Sequence, residues 1–196
     1  MNEQQIQQPD WDARYQESHT PWDRGTSSPA LLNWLDSGEL APCEILIPGC
    51  GRGHEVVELA KRGFDVTAID LSTTAIEELK QTLDQAELQA TLVASDFFQW
   101  QPNQKFAAIY EQTSLCALPP AQWPAYVQLL DHWLIDKGDL FALFMQTGKD
   151  GGPPWHCDLV TMQRLFKSPH WTWLSDQNQF VDHPSGLREM VAHIRK

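Results

Sequence analysis

Glu44-Ile-Leu-Ile-Pro48 runs directly into Gly49-Cys50-Gly51-Arg52-Gly53-His54, and the reading of this stretch decides the fold. The first five residues form a short apolar run that stops at a glycine, the pattern of a buried strand. The glycines permit positive φ and a close approach of the backbone to a ligand. From His54 to Arg62 the apolar positions Val56, Val57, Leu59 and Ala60 suit a helix, and Gly63 stops it. Phe64-Asp-Val-Thr-Ala-Ile-Asp70 reads as a second strand, and Asp70 falls 21 residues after Gly49. Strand, glycine loop, helix, strand and acid in that order place the loop at the ligand-binding end of an open sheet. An acid at position 70 can accept hydrogen bonds from both ribose hydroxyls of an adenosine.

The glycine spacing narrows the ligand. A dinucleotide fingerprint is G-x-G-x-x-G, and the place of its third glycine holds His54. No G-K-[ST] follows the glycines, so the loop is not a P-loop. The pattern fits a nucleoside cofactor without a pyrophosphate, such as S-adenosylmethionine (SAM). Asp96 ends a third strand, Ala90–Ala94, and its carboxylate can accept from the exocyclic amine of adenine. Phe97 beside it can cover the face of the base.

Further along, Phe106–Glu111 and Gly138–Met145 read as a fourth and a fifth strand, and Trp171–Leu174 and Arg188–Ile194 as two closing strands. Helices are expected at Pro29–Leu35, opened by its proline, at Thr74 to about Leu83, after Pro119-Pro120, and at Leu159–Phe166. Thr74 and Glu77 have capping-box spacing, with Ser72 the alternative cap. Strands of five to seven residues alternating with helices define an α/β protein on a mainly parallel sheet. Residues 1–10 are polar and Gln-rich and are expected to be a flexible N-terminus. Residues 11–43 carry Trp11, Tyr15, Trp22 and Trp34, too many large rings for a tail, and must pack on the domain body or on a ligand.

The chain has 196 residues, which suits one domain, and 42% of them are hydrophobic. Fourteen Lys and Arg stand against 26 Asp and Glu, a net charge of −12. That balance argues against nucleic acid and against an anionic membrane surface as partners. The polar N-terminus and the strand-sized apolar runs give no sign of a signal sequence or a span. Four cysteines without a C-x-x-C point to reduced thiols in a cytoplasmic protein. The seven histidines are scattered, and no metal site is expected. A monomer acting on a small-molecule nucleophile fits these features.

From Trp11 onward the sequence resembles the thiopurine methyltransferase group of class I SAM-dependent methyltransferases, which includes plant and bacterial thiol and halide methyltransferases. The resemblance runs through Thr20-Pro-Trp-Asp-Arg-Gly25, Leu46-Ile-Pro-Gly-Cys-Gly-Arg-Gly-His54, Ile69-Asp-Leu-Ser72, Asp96-Phe-Phe-Gln-Trp100, Cys116-Ala-Leu-Pro-Pro120 and Gly151-Gly-Pro-Pro-Trp155. It implies a Rossmann-like domain over 11–196 with a seven-stranded sheet in the order 3-2-1-4-5-7-6 and helices on both faces. Residues 11–43 would form an aromatic lid over cofactor and substrate. Gly49, Gly51, Asp70 and Asp96 match cofactor-contacting positions, with Phe97 beside the adenine and Glu111, Gln112 and Thr113 facing the methionine end. Trp11 and Trp22 would line the space near the reactive methyl, with Asp23 close by as a possible proton acceptor and Trp155 at the nucleophile. The plant halide and thiol enzymes carry aspartate and tyrosine where this chain has Glu111-Gln112, and a tyrosine where it has Trp155. An indole offers only an N–H, so the departures weaken a halide assignment more than a thiol one.

The implied reaction is transfer of the SAM methyl to the sulfur of a small thiol or thiopurine-like acceptor by direct in-line displacement, giving S-adenosylhomocysteine. A halide, selenium or tellurium acceptor is one alternative. Methylation of a small metabolite at nitrogen or oxygen is another, and a non-catalytic SAM-binding protein a third. A dehydrogenase is disfavoured by the missing glycine.

Overall fold

The computed structural model describes residues 9–176 and 178–196. The expected flexible stretch 1–10 therefore lies almost wholly outside the described residues. The strands are β1 (Glu44–Pro48), β2 (Asp65–Asp70), β3 (Thr91–Ala94), β4 (Phe106–Gln112), β5 (Leu134–Gln146), β6 (Thr172–Trp173), β7 (Phe180–Asp182) and β8 (Arg188–Arg195). The helices are α1 (Trp11–Gln16), α2 (Pro29–Ser37), α3 (His54–Lys61), α4 (Thr73–Gln85), α5 (Ser114–Ala117), α6 (Trp123–Trp133) and α7 (Leu159–Leu165).

The sheet order is β3-β2-β1-β4-β5-β8-β6, with β7 also paired to β8. The first five strands are parallel, and β8 runs antiparallel to β5. This is the order the resemblance implies, with one difference from the expected seven strands. The last position is shared by two short segments, β6 against the end of β8 and β7 against its beginning. Strand β5 begins four residues before the expected Gly138, because α6 passes straight into it at Leu134. A register shift between Phe106 and Ala108 and a positive φ at Lys137 mark the irregularity that absorbs this extension.

Alternation along the strands divides the core in two. Ile45, Ile47, Ala108, Tyr110, Phe141 and Leu143 face the cluster packed by α2, α3 and α4. Leu46, Ile109, Leu140, Ala142 and Phe144 face the cluster packed by α6 and α7. Helix starts follow local capping chemistry. Ser28 accepts from the Ala30 N–H ahead of Pro29, and Ser72 rather than Thr74 caps α4 by accepting from the Ala75 N–H at 3.0 Å. No helix among the described residues is long and apolar enough to cross a membrane.

Candidate active site

The carboxyl ends of β1, β2, β3 and β4 open into a cavity of about 470 Å³. Its lining draws on the glycine loop, Asp70, Asp96 to Phe98, the turn after β4, α1, Trp22, Pro153, Pro154 and the β7–β8 connection. A cavity of this size suits a drug-sized ligand or a nucleoside cofactor.

The loop needs glycine for reasons the structure makes specific. Gly49 has φ +62° and Gly51 φ +53°. A Cβ on Gly49 would strike the Ser114 hydroxyl, which is donated to the Pro48 carbonyl at 2.6 Å. A Cβ on Gly51 would lie 2.6 Å from the Tyr15 hydroxyl. Asp70 fixes the loop from below. One carboxylate oxygen accepts the Gly51 N–H at 2.8 Å and the other the Ser72 N–H at 2.8 Å. Burial raises its pKa while these N–H groups pull it down. Each oxygen keeps a further lone pair, so the group can still accept from ligand hydroxyls. Asp96 lies on the lining, exposed, and accepts the Phe98 N–H at 2.9 Å, while Phe97 is held between Phe98 and Tyr126.

The N-terminal segment forms a wall of the cavity. Asp10 caps α1 by accepting from Ala13. Asp12 accepts from the Ser72 hydroxyl at 2.6 Å and the Thr74 N–H at 2.9 Å, which docks α1 on the start of α4. Trp11, Arg14 and Tyr15, at helical i, i+3 and i+4 spacing, thereby share the face on the cavity. The Trp22 ring stands edge-on to Trp11 at 5.3 Å and to Tyr15 at 5.8 Å, and its indole N–H donates to the Tyr15 hydroxyl at 3.2 Å.

Trp22, Asp23 and Arg24 are each fastened to different parts of the fold. The Trp22 carbonyl accepts from His183 Nε2 at 3.1 Å, which leaves His183 Nδ1 to accept the Ser185 N–H. Burial lowers the His183 pKa, which favours the neutral ring. Asp23 receives Arg52 at 2.9 Å and His54 at 2.9 Å, and the His54 hydrogen bond leads in holding its carboxyl well below the usual range. Arg24 reaches Glu189 on β8 at 3.2 Å and the Asp182 carbonyl on β7 at 2.9 Å. Gln112 donates to both Glu189 oxygens at 3.0 Å, and burial pushes Glu189 up to about 7.

The structure thus brings Trp11, Trp22, Gly49, Asp70, Asp96 and Phe97 to one cavity, with Gly51 bound to the Asp70 carboxylate on its floor. The expected site residues Gly51, Asp23, Glu111 and Trp155 lie outside that lining. Asp23 borders a smaller neighbouring space of about 70 Å³ with Arg52 and His54. Glu111 is buried, accepts the Leu115 N–H at 2.7 Å, and is pushed up to about 7 by burial. Trp155 packs against Gly152, and its backbone N–H donates to the Cys116 carbonyl at 2.8 Å. His156 is turned to the chain instead, its Nδ1 accepting the Thr147 N–H at 3.1 Å. Arg14, Tyr15 and His183 were not anticipated as lining residues. Arg14 and Tyr15 become legible once residues 11–16 are recognised as a capped helix. Thr113, expected with Glu111 and Gln112 at the methionine end, does line the cavity and adopts φ +64°, strain that marks functional turns. His183 arrives on the unexpected strand β7 and its turn.

These residues fit SAM: an acid with free lone pairs for a ribose, a second acid and an aromatic for adenine, and indole faces that attract a sulfonium. The comparisons with known proteins agree. The model of the thiopurine S-methyltransferase family matches residues 6–195. Thiocyanate methyltransferase 1 of Brassica oleracea is 32% identical over 161 residues, covering 81% of this chain and 71% of its own. Probable thiol methyltransferase 2 of Arabidopsis thaliana is 32% identical over 159 residues, 79% and 70% of the two chains. Among solved structures, the Burkholderia thailandensis 1,6-didemethyltoxoflavin-N1-methyltransferase, bound to S-adenosylhomocysteine, superposes with a TM-score of 0.75 at 20% identity, over 94% of this chain and 84% of that one. The chain belongs to the thiopurine S-methyltransferase family and is a SAM-dependent methyltransferase of the class I fold.

Proposed function

We propose that this enzyme methylates the sulfur of a small thiol or thiopurine-like acceptor. When bound, SAM supplies a methyl group already activated on a sulfonium. The chain's task is then to hold, align and desolvate the nucleophile. Gly49, Gly51, Asp70, Asp96 and Phe97 are assigned to the cofactor, and Trp11 and Trp22 to the wall over its reactive end. Asp23 is assigned to holding the Trp22 segment through Arg52 and His54. Glu111 and Trp155 are assigned to supporting the turns that carry Ser114 and Cys116.

The observation that carries the reading is the state of the titratable groups around the cavity. Both nitrogens of His183 are engaged, Asp23 is held by Arg52 and His54, Asp70 binds two backbone N–H groups, and Asp70 and Asp96 are assigned to the cofactor. Burial raises the Cys116 thiol well above its usual range. The rest of the lining includes Met145, Leu118, Pro153, Pro154 and Leu187, an apolar surface. A nitrogen or oxygen acceptor needs a base there. A thiol, with a few per cent thiolate at neutral pH, loses its proton to water without one. The names of the plant relatives, thiocyanate and thiol methyltransferases, support the same class. The thiocyanate relative also favours a second reading, a small inorganic anion as acceptor.

The same proposal treats residues 11–196 as one domain with 11–43 as its covering segment. It has the enzyme working as a monomer in the cytoplasm, supported by four free cysteines.

The test is S-adenosylhomocysteine formation from SAM with hydrosulfide, an aryl thiol, a thiopurine, iodide, or a phenol and an amine of matched size. Turnover confined to sulfur acceptors is expected. Turnover with iodide alone supports the second reading, and turnover with the amine or phenol alone contradicts both.

A further inference from the structure

Arg14 lines the cavity without a side-chain ion-pair or hydrogen-bond partner among the described residues. Among the described residues it is the only Lys or Arg on that lining. Its guanidinium carbon lies 5.9 Å from the Trp11 ring and 5.9 Å from the Trp22 ring. Those indole faces hold it in place, yet it has no hydrogen-bond acceptor and no carboxylate among the described residues. The neighbouring arginines differ. Arg24 is spent on Glu189, and Arg52 on Asp23 and Glu78.

A half-buried guanidinium whose fork is unfilled and which faces a ligand cavity is suited to bind an anion in bidentate fashion. The chain's charge of −12 repels anions as a whole. An anionic group in this cavity therefore needs a local cation, and Arg14 is placed to supply it. We propose that Arg14 is the carboxylate-binding residue of the cavity. Two carriers bring that chemistry: the amino-acid end of SAM, and an acceptor thiol bearing its own carboxylate. The choice of probes rests on the SAM-and-thiol reading above.

The experiment compares the wild type with Arg14→Gln and Arg14→Lys. Calorimetry measures the affinity for S-adenosylhomocysteine and for 5′-methylthioadenosine, which is the same nucleoside thioether without the amino acid. Initial rates give KM for 3-mercaptopropionate and for 1-propanethiol, which differ by one carboxylate. A loss of roughly 10- to 100-fold for S-adenosylhomocysteine with methylthioadenosine unchanged supports the proposal and assigns Arg14 to the cofactor's carboxylate. Unchanged nucleoside binding with a KM for 3-mercaptopropionate raised about 10-fold or more, and propanethiol unaffected, supports it and assigns the acceptor's carboxylate. In either case Arg14→Lys restores part of the loss, keeping charge without the fork. Equal losses for both nucleosides and both thiols, or no change, overturn the proposal, because Arg14 then only packs the indoles. If neither thiol is turned over, the sulfur reading fails, and the two nucleosides still decide Arg14.

Discussion

Replacing Gly51 by alanine should damage the lid through a single atom of Tyr15. The new Cβ would lie 2.6 Å from the Tyr15 hydroxyl oxygen and 3.7 Å from the ring carbon that bears it. Ordinary C···O contacts begin at about 3.3 Å, so the hydroxyl must withdraw by roughly 0.7 Å. It is the acceptor for the Trp22 indole N–H at 3.2 Å, already at the long end of the range. The withdrawal should therefore cost that hydrogen bond, about 1 kcal/mol. The φ of +53° adds about 1–2 kcal/mol for a residue with a side chain. Gly51→Ala alone should lose about 2–3 kcal/mol and Tyr15→Phe about 1 kcal/mol. In the double variant the hydroxyl is gone, the clash disappears, and the hydrogen bond is lost only once. Its loss should fall about 1 kcal/mol short of the sum. Equilibrium urea unfolding of the four proteins measures the cycle. S-adenosylhomocysteine titrations should show the same sub-additivity, since Trp22 borders the cavity. Additivity within about 0.5 kcal/mol would refute the reasoning.

Asp70→Asn should weaken S-adenosylhomocysteine binding by roughly 10-fold or more, because an amide accepts through one oxygen only; calorimetry with unchanged affinity would count against the ribose assignment. The Asp23 partnership raises the His54 pKa, so charged His54 stabilises the fold below its unfolded value of about 6.5 and that contribution fades as pH rises through the folded value. The stability gap between wild type and His54→Gln should accordingly shrink as pH rises above about 6.5, and a gap that widens would contradict the sign. Arg24→Met leaves Glu189 buried without its cation and should cost about 3 kcal/mol, with faster proteolytic cutting in residues 17–28; a loss below about 0.5 kcal/mol would show that Gln112 alone suffices.

The parts of this protein legible in its sequence are those in which neighbouring residues do the work. The run Glu44–Pro48, the positive-φ glycines and Asp70 lie close along the chain, and their order forces the β-α-β unit. Ser72 and Pro29 announced helix starts because capping is a local hydrogen bond. What escaped depends on residues distant in sequence. Nothing around Phe180 signals a strand, since three residues gain their pairing only from β8. The 11–16 segment read as aromatic packing, although Asp10 was a cap in plain view. Asp23 looked like a free carboxylate because Arg52 and His54 are about thirty residues away. Glu111 matched a family position, yet its carboxylate turns back to the Leu115 N–H.

The central claim is that sulfur receives the methyl group in this cavity. The most direct measurement offers the enzyme 4-aminothiophenol, which presents a thiol and an amine on one ring, together with SAM carrying a carbon-13 methyl. The carbon resonance of the product separates S-methyl from N-methyl. A single S-methyl signal, abolished by excess S-adenosylhomocysteine and weakened in Asp70→Asn, is the predicted result. An N-methyl product would contradict the account.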